Sequence, residues 1–178
     1  MIQLETYRTI LRSLKLNDRN DIYEFCKLKN VAEMIGKTPL VSIEHTNEYL
    51  KFEIEKDELY AIECKNTNKV IGTIGLRKPK ILSNTRILRI ELNPTSWGKG
   101  YAVEVAKEVI KYAFDNLNIE KIIGGYYSFN KQSKAVNEKL GFVYQERIKD
   151  IYKYNGTLVD SIVCALNYQE FKHISKHW

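Results

Sequence analysis

Leu92-Asn93-Pro94-Thr95-Ser96-Trp97-Gly98-Lys99-Gly100-Tyr101-Ala102 is the stretch on which the reading of this chain turns. Before it, Thr85–Leu92 alternates. Leu88, Ile90 and Leu92 share one face and Arg89 and Glu91 the other, the period of a half-buried strand. After it, Ala102, Val105, Ala106, Val109, Ile110 and Ala113 recur at three- and four-residue steps, the apolar stripe of a long helix. The junction is therefore strand–loop–helix, and its loop carries Gly98 and Gly100 with Lys99 between them. Glycines let backbone N–H groups approach a ligand without Cβ obstruction. Those groups run into a helix N-terminus, where unpaired donors and the dipole favour an anion. With the lysine charge added, the segment has the chemistry of a phosphate cradle; a glycine-bearing tight turn with a solvated lysine is the other reading. No GxxxxGK[ST] is present, and the third glycine of a dinucleotide fingerprint is missing, so neither nucleotide pattern is met.

Working outward, Thr9–Leu16 alternates as a strand, and Asn17-Asp18 offers an N-cap to a helix bearing Ile22, Phe25, Cys26 and Leu28. A second helix is expected over His45–Glu55. Leu59–Cys64 and Val70–Leu76 read as paired strands across the turn Lys65–Asn68. Beyond the long helix come a strand over Lys121–Phe129, containing Gly124-Gly125, and a short helix over Lys131–Leu140 stopped by Gly141. The hairpin Phe142–Tyr154 and Thr157–Leu166 turns on Asn155-Gly156. The expected order is β-α-α-β-β-β-α-β-α-β-β, an α/β (mixed α+β) fold with helices covering a mixed sheet. Neither an internal repeat nor a Pro/Gly/Ser-rich linker interrupts it, so residues 1–178 are expected to form a single domain.

Composition agrees. The chain has 178 residues, 44% hydrophobic and 28% charged, enough to bury a core and too mixed for a disordered or collagen-like chain. A net charge of +6 suits an anionic partner, a phosphorylated cofactor among others, yet no run of like charges marks a tail. Cys26, Cys64 and Cys164 are odd in number and far apart, and suggest neither a disulfide framework nor a zinc site. His173 and His177 are four apart near the C-terminus, a surface or tail placement rather than a metal motif, and no metal is expected. No stretch approaches a membrane span, and Met1–Glu5 lacks a signal pattern, which makes a reduced cytoplasmic compartment the expectation. Basic and aromatic residues do not recur on one element, so nucleic acid is not an expected partner.

A second constellation, Asn130-Lys131-Gln132-Ser133-Lys134-Ala135-Val136-Asn137-Glu138-Lys139-Leu140-Gly141-Phe142, starts with a capping asparagine. It sets Ser133 and Asn137 on one helix face and Val136 and Leu140 on another. Taken alone, it reads first as a capped surface helix. Together, WGKGYA after a strand ending in LNP and NxxSxxVNEKLGF about thirty residues on resemble the GNAT superfamily of acetyl-CoA-dependent N-acetyltransferases. GTIGL (Gly72 to Leu76), the opening TYRTILRSLKLNDRNDIYEF and the Asn-Gly hairpin fall in the matching order. The chain is similar in particular to the RimJ/RimL-like branch, whose founding members acetylate N-termini of ribosomal proteins.

The resemblance implies a mostly antiparallel sheet whose two central strands, here Thr85–Leu92 and Lys121–Phe129, splay apart to admit the pantetheine arm of acetyl-CoA beside Leu92 and Asn93. It implies a pyrophosphate loop at Trp97, Gly98, Lys99, Gly100, Tyr101 and Ala102, with Trp97 standing where the wider family has Gln or Arg. Asn130 matches a cofactor-contacting asparagine. Asn137 stands where many members place a tyrosine that protonates the departing thiolate, which an amide cannot do. Ser133 matches a serine proposed for that work, and is the expected donor to the sulfur. Glu91 is the candidate base, with ion pairing to Arg89 as its other reading. The implied reaction is direct acetyl transfer from acetyl-CoA to a protein or peptide N-terminal amine, by a monomer or homodimer. A small-amine acetyltransferase acting on polyamines or aminoglycosides is the alternative, for which Glu48, Glu53, Glu55, Asp57 and Glu58 would supply an acidic patch; a non-catalytic acyl-CoA-binding module is another. Acceptor specificity is expected in Asn30–Thr46 and Lys78–Thr85.

Overall fold

The structure, a computed structural model, describes residues 3–81 and 84–178. Its strands are β1 (Leu4–Glu5), β2 (Thr9–Ser13), β3 (Leu59–Cys64), β4 (Val70–Arg77), β5 (Thr85–Leu92), β6 (Lys121–Tyr127), β7 (Val143–Tyr154) and β8 (Thr157–Asn167). Its α-helices are α1 (Arg19–Cys26), α2 (Lys29–Met34), α3 (Ile43–Lys56), α4 (Tyr101–Asn116), α5 (Lys131–Lys139) and α6 (Tyr168–Ile174). The strands form one eight-stranded sheet in the order β1-β2-β3-β4-β5-β6-β8-β7. Every neighbouring pair is antiparallel except β5–β6. A parallel pair needs a crossover, and α4 supplies it.

Alternation along the strands builds a core on each face. Tyr60, Ile62, Ile74, Leu76 and Leu92 meet Val105, Ala106, Val109 and Ile110 of α4, with Leu140 and Phe171 joining from the far end. On the opposite face Leu59, Ala61 and Val70 meet Ile22 and Phe25 of α1, Val31 of α2 and Leu50 of α3. Trp97 packs against both clusters at the end of β5. The expected mixed sheet with helices on both faces is therefore present.

Three elements go beyond the expected order: β1, α2 and α6. At the start of the chain the strand ends at Ser13, and Leu16–Asp18 form a 3-10 turn before α1. Asp18 does not cap α1 with its side chain. Instead its buried carboxylate takes both terminal nitrogens of Arg12, each at 2.9 Å, and the Lys15 N–H at 2.8 Å. At the other end, Asn155 and Gly156 both have positive φ, 48° and 82°, as a two-residue turn matched to strand twist requires.

Gly124 sets how closely α5 lies on β6. A Cβ there would fall 2.5 Å from Asn137 Oδ1 and 2.9 Å from the Phe142 ring. Gly124→Ala forces helix and ring outward, an overpacking that costs about 1–3 kcal/mol. Thermal unfolding is expected to drop by about 2–12 °C on that basis. An unchanged melting temperature would show that α5 yields without cost.

Candidate functional site

The parallel pairing of β5 and β6 covers only Thr85↔Lys121, Arg86↔Ile122 and Ile87↔Ile123. Past these rungs both strands continue, β5 to Leu92 and β6 to Tyr127, without bridging. The opening between them is part of a cavity of about 570 Å³, walled by β5, β6, the loop before α4, and α5, with Val31, Met34 and Ile35 at one side. Hydrogen-bond parity fixes which backbone groups face it. Asn93 N–H bonds the Ile71 carbonyl at 2.8 Å, so Glu91 and Arg89 bond β4 as well, opposite Thr73 and Gly75. The N–H and C=O groups of Leu88, Ile90 and Leu92 then point the other way, into the gap. Leu92 C=O accepts the Trp97 indole N–H at 2.8 Å. Leu88 and Ile90 present an open strand edge, the complement of an extended, amide-bearing arm.

At the end of that edge sits the glycine loop. Gly98 and Gly100 have φ of 71° and 83°, left-handed conformations that favour glycine. Nothing lies within 4 Å of a Cβ built on Gly98, and on Gly100 only Arg8 Nη2 at 3.5 Å. The space above both glycines is thus open to a ligand. Helix α4 begins at Tyr101, and Glu104 N–H makes the first intrahelical bond, to the Gly100 carbonyl at 3.1 Å. The N–H groups of Tyr101, Ala102 and Val103 are therefore free for an anion. Trp97, Gly98, Gly100, Tyr101 and Ala102 all line the cavity, whereas Lys99 is exposed and outside its wall. Asn93 also lies outside the wall: its amide donates to Glu24 at 3.0 Å and its Oδ1 accepts Thr95 N–H at 3.1 Å, which shapes the turn after β5.

Arg8 is a loop residue the motif did not announce. It donates to the Lys99 carbonyl at 2.9 Å, pairs with Glu104 at 2.6 Å, and lies 4.1 Å over the Tyr101 ring. It ties the first turn of α4 to the start of β2 and puts a guanidinium beside the cradle.

On the opposite wall, Asn130 caps α5, accepting Ser133 N–H at 2.9 Å, and its amide donates to the Met34 carbonyl at 3.3 Å. The capping asparagine therefore also fastens α2 over the cavity. Ser133 lines the cavity with its hydroxyl 3.4 Å from the Gly125 carbonyl, a long bond that leaves it available to a ligand. Asn137 is buried, its amide turned back on the Ser133 carbonyl at 2.8 Å.

Glu91 lies on the face of β5 that looks toward α1 and α3, and is 5% exposed. Its partner is Lys37, at 2.6 Å from Oε1, and not Arg89. Residues two apart on a strand are separated by about 6.6 Å of rise, whereas the loop after α2 brings Lys37 directly over the carboxylate. Cys26 Sγ is 3.9 Å from Oε2; burial, with the Glu91 charge adding to it, holds that thiol well above its usual range. Tyr49 lies in the same cluster, 5.4 Å from ring centroid to Lys37 Nζ, its phenol also raised by burial and the Glu91 charge. The Tyr49 hydroxyl and Thr73 Oγ1 are buried with no hydrogen-bond partner. The acidic segment of α3 is partly spent: Glu53 is buried against Arg77, and Glu58 is 3.6 Å from the same guanidinium. Of the expected acceptor segments, Leu82 and Ser83 lie outside the described residues. Among the described residues no cluster of His, Cys, Asp and Glu could hold a metal ion, and no helix is long and apolar enough to cross a membrane.

Comparison with known proteins matches this arrangement. The acetyltransferase (GNAT) domain model fits residues 8–143, from Arg8 through the glycine loop and α5 to the start of β7. The chain is similar to the uncharacterized N-acetyltransferase p20 of Bacillus licheniformis, 25% identical over 176 residues, covering 96% of this chain and 99% of that protein. Its fold is like that of spermidine N-acetyltransferase from Vibrio cholerae, solved in complex with CoA and spermine (TM-score 0.82, 20% identity, 93% of this chain and 98% of that one). It is also like that of ribosomal-protein-S5-alanine acetyltransferase from Vibrio fischeri (TM-score 0.79, 21% identity, 94% and 97%). A family match over the segment that builds the splayed strands, the cradle and the capped helix leaves one assignment: this chain belongs to the GNAT acetyltransferases and is an N-acetyltransferase.

Proposed function

We propose that the protein moves an acetyl group from acetyl-CoA to the N-terminal amine of a protein or peptide, in the manner of the RimJ/RimL-like branch. The observation that carries this is the open edge of Leu88 and Ile90 running into the Gly98–Ala102 cradle. The cradle suits the pyrophosphate, and the strand edge suits the amides of the pantetheine arm. Acetyl-CoA supplies the thioester. The acceptor amine attacks its carbonyl carbon, N–H groups of the splayed β5 hold the developing oxyanion, the C–S bond breaks, and Ser133 donates to the leaving sulfur. The amine's proton leaves through Glu91 or water beside it. Oε1 of Glu91 is engaged by Lys37, so a demanding deprotonation is poorly served. An α-amino group with a pKa near 8 costs about 1.4 kcal/mol to neutralise at pH 7, against about 4.6 kcal/mol for a lysine. That difference supports an N-terminal acceptor. For a polyamine the carboxylates nearest the cavity are already engaged, Glu53 and Glu58 by Arg77 and Glu91 by Lys37, while Glu48, Glu55 and Asp57 of the acidic segment stay exposed.

Calorimetry is expected to give saturable acetyl-CoA binding that survives a chelator. Thiol release is expected to be faster with peptide N-termini than with polyamines or aminoglycosides. Absence of binding at millimolar acetyl-CoA would remove the cofactor assignment, and preference for spermidine would remove the acceptor.

A further inference from the structure

On the acceptor side of the cavity one cation stands without a partner among the described residues. Arg89 lines the cavity on the face of β5 that carries Glu91, and its side chain is exposed. Across the ladder its partner is Gly75, which has no side chain to cover it. On its other flank β6 has already diverged. The carboxylates on this face are taken: Glu91 by Lys37, and Glu53 and Glu58 by Arg77. Among the described residues nothing bonds or pairs with the Arg89 guanidinium. An exposed guanidinium at a cavity wall, with no carboxylate paired to it among the described residues, is matched to an anionic group on the ligand.

We infer that Arg89 is a specificity-determining residue that binds a carboxylate carried by the acceptor close to its amine. The inference rests on the acetyl-transfer reading and narrows its substrate class to amines bearing a nearby carboxylate. A guanidinium offers a planar fork of N–H donors matched to a carboxylate. Lys37, held on Glu91, keeps that carboxylate from repelling the incoming anion. Two sources share this chemistry: a free acidic amino acid, and a peptide whose first residue is acidic.

The test measures kcat/KM by thiol release for peptide amides that begin with aspartate or with its neutral isostere asparagine, for free aspartate, and for spermidine. The wild type is expected to favour the aspartyl peptide over the asparaginyl peptide by about 10- to 100-fold, the worth of one charge-assisted bond pair. Arg89→Gln is expected to bring the two peptides within about twofold, and Arg89→Lys to restore part of the ratio at an unchanged melting temperature. Free aspartate outpacing the peptide supports the inference and assigns the source. Equal rates for the two peptides in the wild type with free aspartate no faster, an advantage of aspartyl peptide or free aspartate that survives Arg89→Gln, or a preference for spermidine overturns it. If no amine releases thiol although acetyl-CoA binds, the acetyl-transfer reading fails by itself. The inference is then decided by calorimetry with N-acetylaspartate in the presence of CoA. Binding to wild type that weakens at least tenfold in Arg89→Gln sustains it, and equal or absent binding ends it.

Discussion

Gly100→Val is expected to weaken acetyl-CoA binding by roughly 30- to 700-fold while the protein stays folded. Gly100 occupies φ of 83° and caps α4. A β-branched residue there is strained in two ways: by the left-handed backbone, and by a side chain projecting into the space the pyrophosphate needs. Losing one or two charge-assisted bonds to the freed N–H groups costs roughly 2–4 kcal/mol, and each 1.4 kcal/mol is a factor of ten. The protein itself does not obstruct the substitution, since Arg8 Nη2 at 3.5 Å is the sole neighbour of a Cβ built there. Gly98 invites the same argument. Its φ of 71° is equally left-handed, so Gly98→Ala carries backbone strain too, although nothing lies within 4 Å of a Cβ built there. Titration of acetyl-CoA into both variants, with thermal unfolding as the control, checks this. Unchanged affinity in a folded Gly100→Val protein would move the phosphate site elsewhere.

Elements long enough to show their period were readable from the residues. β3 was expected at Leu59–Cys64 and β5 at Thr85–Leu92, and both lie there; β4, α5 and the two hairpin strands differ by one residue at an end, and α4 runs over the expected stripe. The elements beyond that reading are ones in which period carries little information. β1 has two residues and α2 six, fewer than two helical turns. α6 did leave a local signal: Asn167 and Glu170 form a capping box, with Glu170 N–H on Asn167 Oδ1 at 2.9 Å and Asn167 N–H on Glu170 Oε2 at 2.8 Å. The turn into α1 shows a different limit. Asp18 looks like a cap because it precedes a helix, but Arg12 competes for its carboxylate from the neighbouring strand.

The cofactor side of the site is contiguous in sequence, since a strand end, a loop and a helix start form one segment, and so its chemistry was readable. The proposed acceptor side draws on Arg89 and Glu91 of β5, with Lys37 brought over Glu91 from the loop after α2. Period two placed Arg89 and Glu91 on one face but did not reveal that Lys37 would descend on Glu91 and leave Arg89 open. Nor did α3's acidic run disclose that Arg77 would claim Glu53 and Glu58. Charge counted along the chain says little about charge left unpaired in a pocket.

Ser133→Ala is expected to lower kcat by about 10²–10⁴-fold if the hydroxyl conveys the proton to the departing sulfur, with little change in acetyl-CoA affinity. The backbone role of Ser133 survives the substitution, because its N–H, not its side chain, bonds Asn130 and its carbonyl receives Asn137. Only the hydroxyl is lost, and its one contact is the long 3.4 Å bond to the Gly125 carbonyl. A hydroxyl is a far weaker acid than a thiol, so in the proposed reaction Ser133 gives its proton to the sulfur only as it takes one from water in the cavity, an interaction that strengthens as sulfur gains charge and therefore appears in kcat. A hydrogen bond to the ground-state thioester alone would raise KM for acetyl-CoA and leave kcat intact. Measuring both in one preparation separates the cases, and a kcat within about threefold of wild type, below the general-acid range, excludes Ser133. Tyr144 and Tyr152, the phenols of the hairpin strand β7, do not then take the role. Tyr144 is 61% exposed on β7, Tyr152 stacks on Tyr127 at 4.8 Å, and neither lines the cavity. Tyr126 does line it, its phenol kept protonated above the usual range chiefly by burial. A Tyr126→Phe variant that loses kcat while Ser133→Ala does not would place the proton donor on β6 instead of α5.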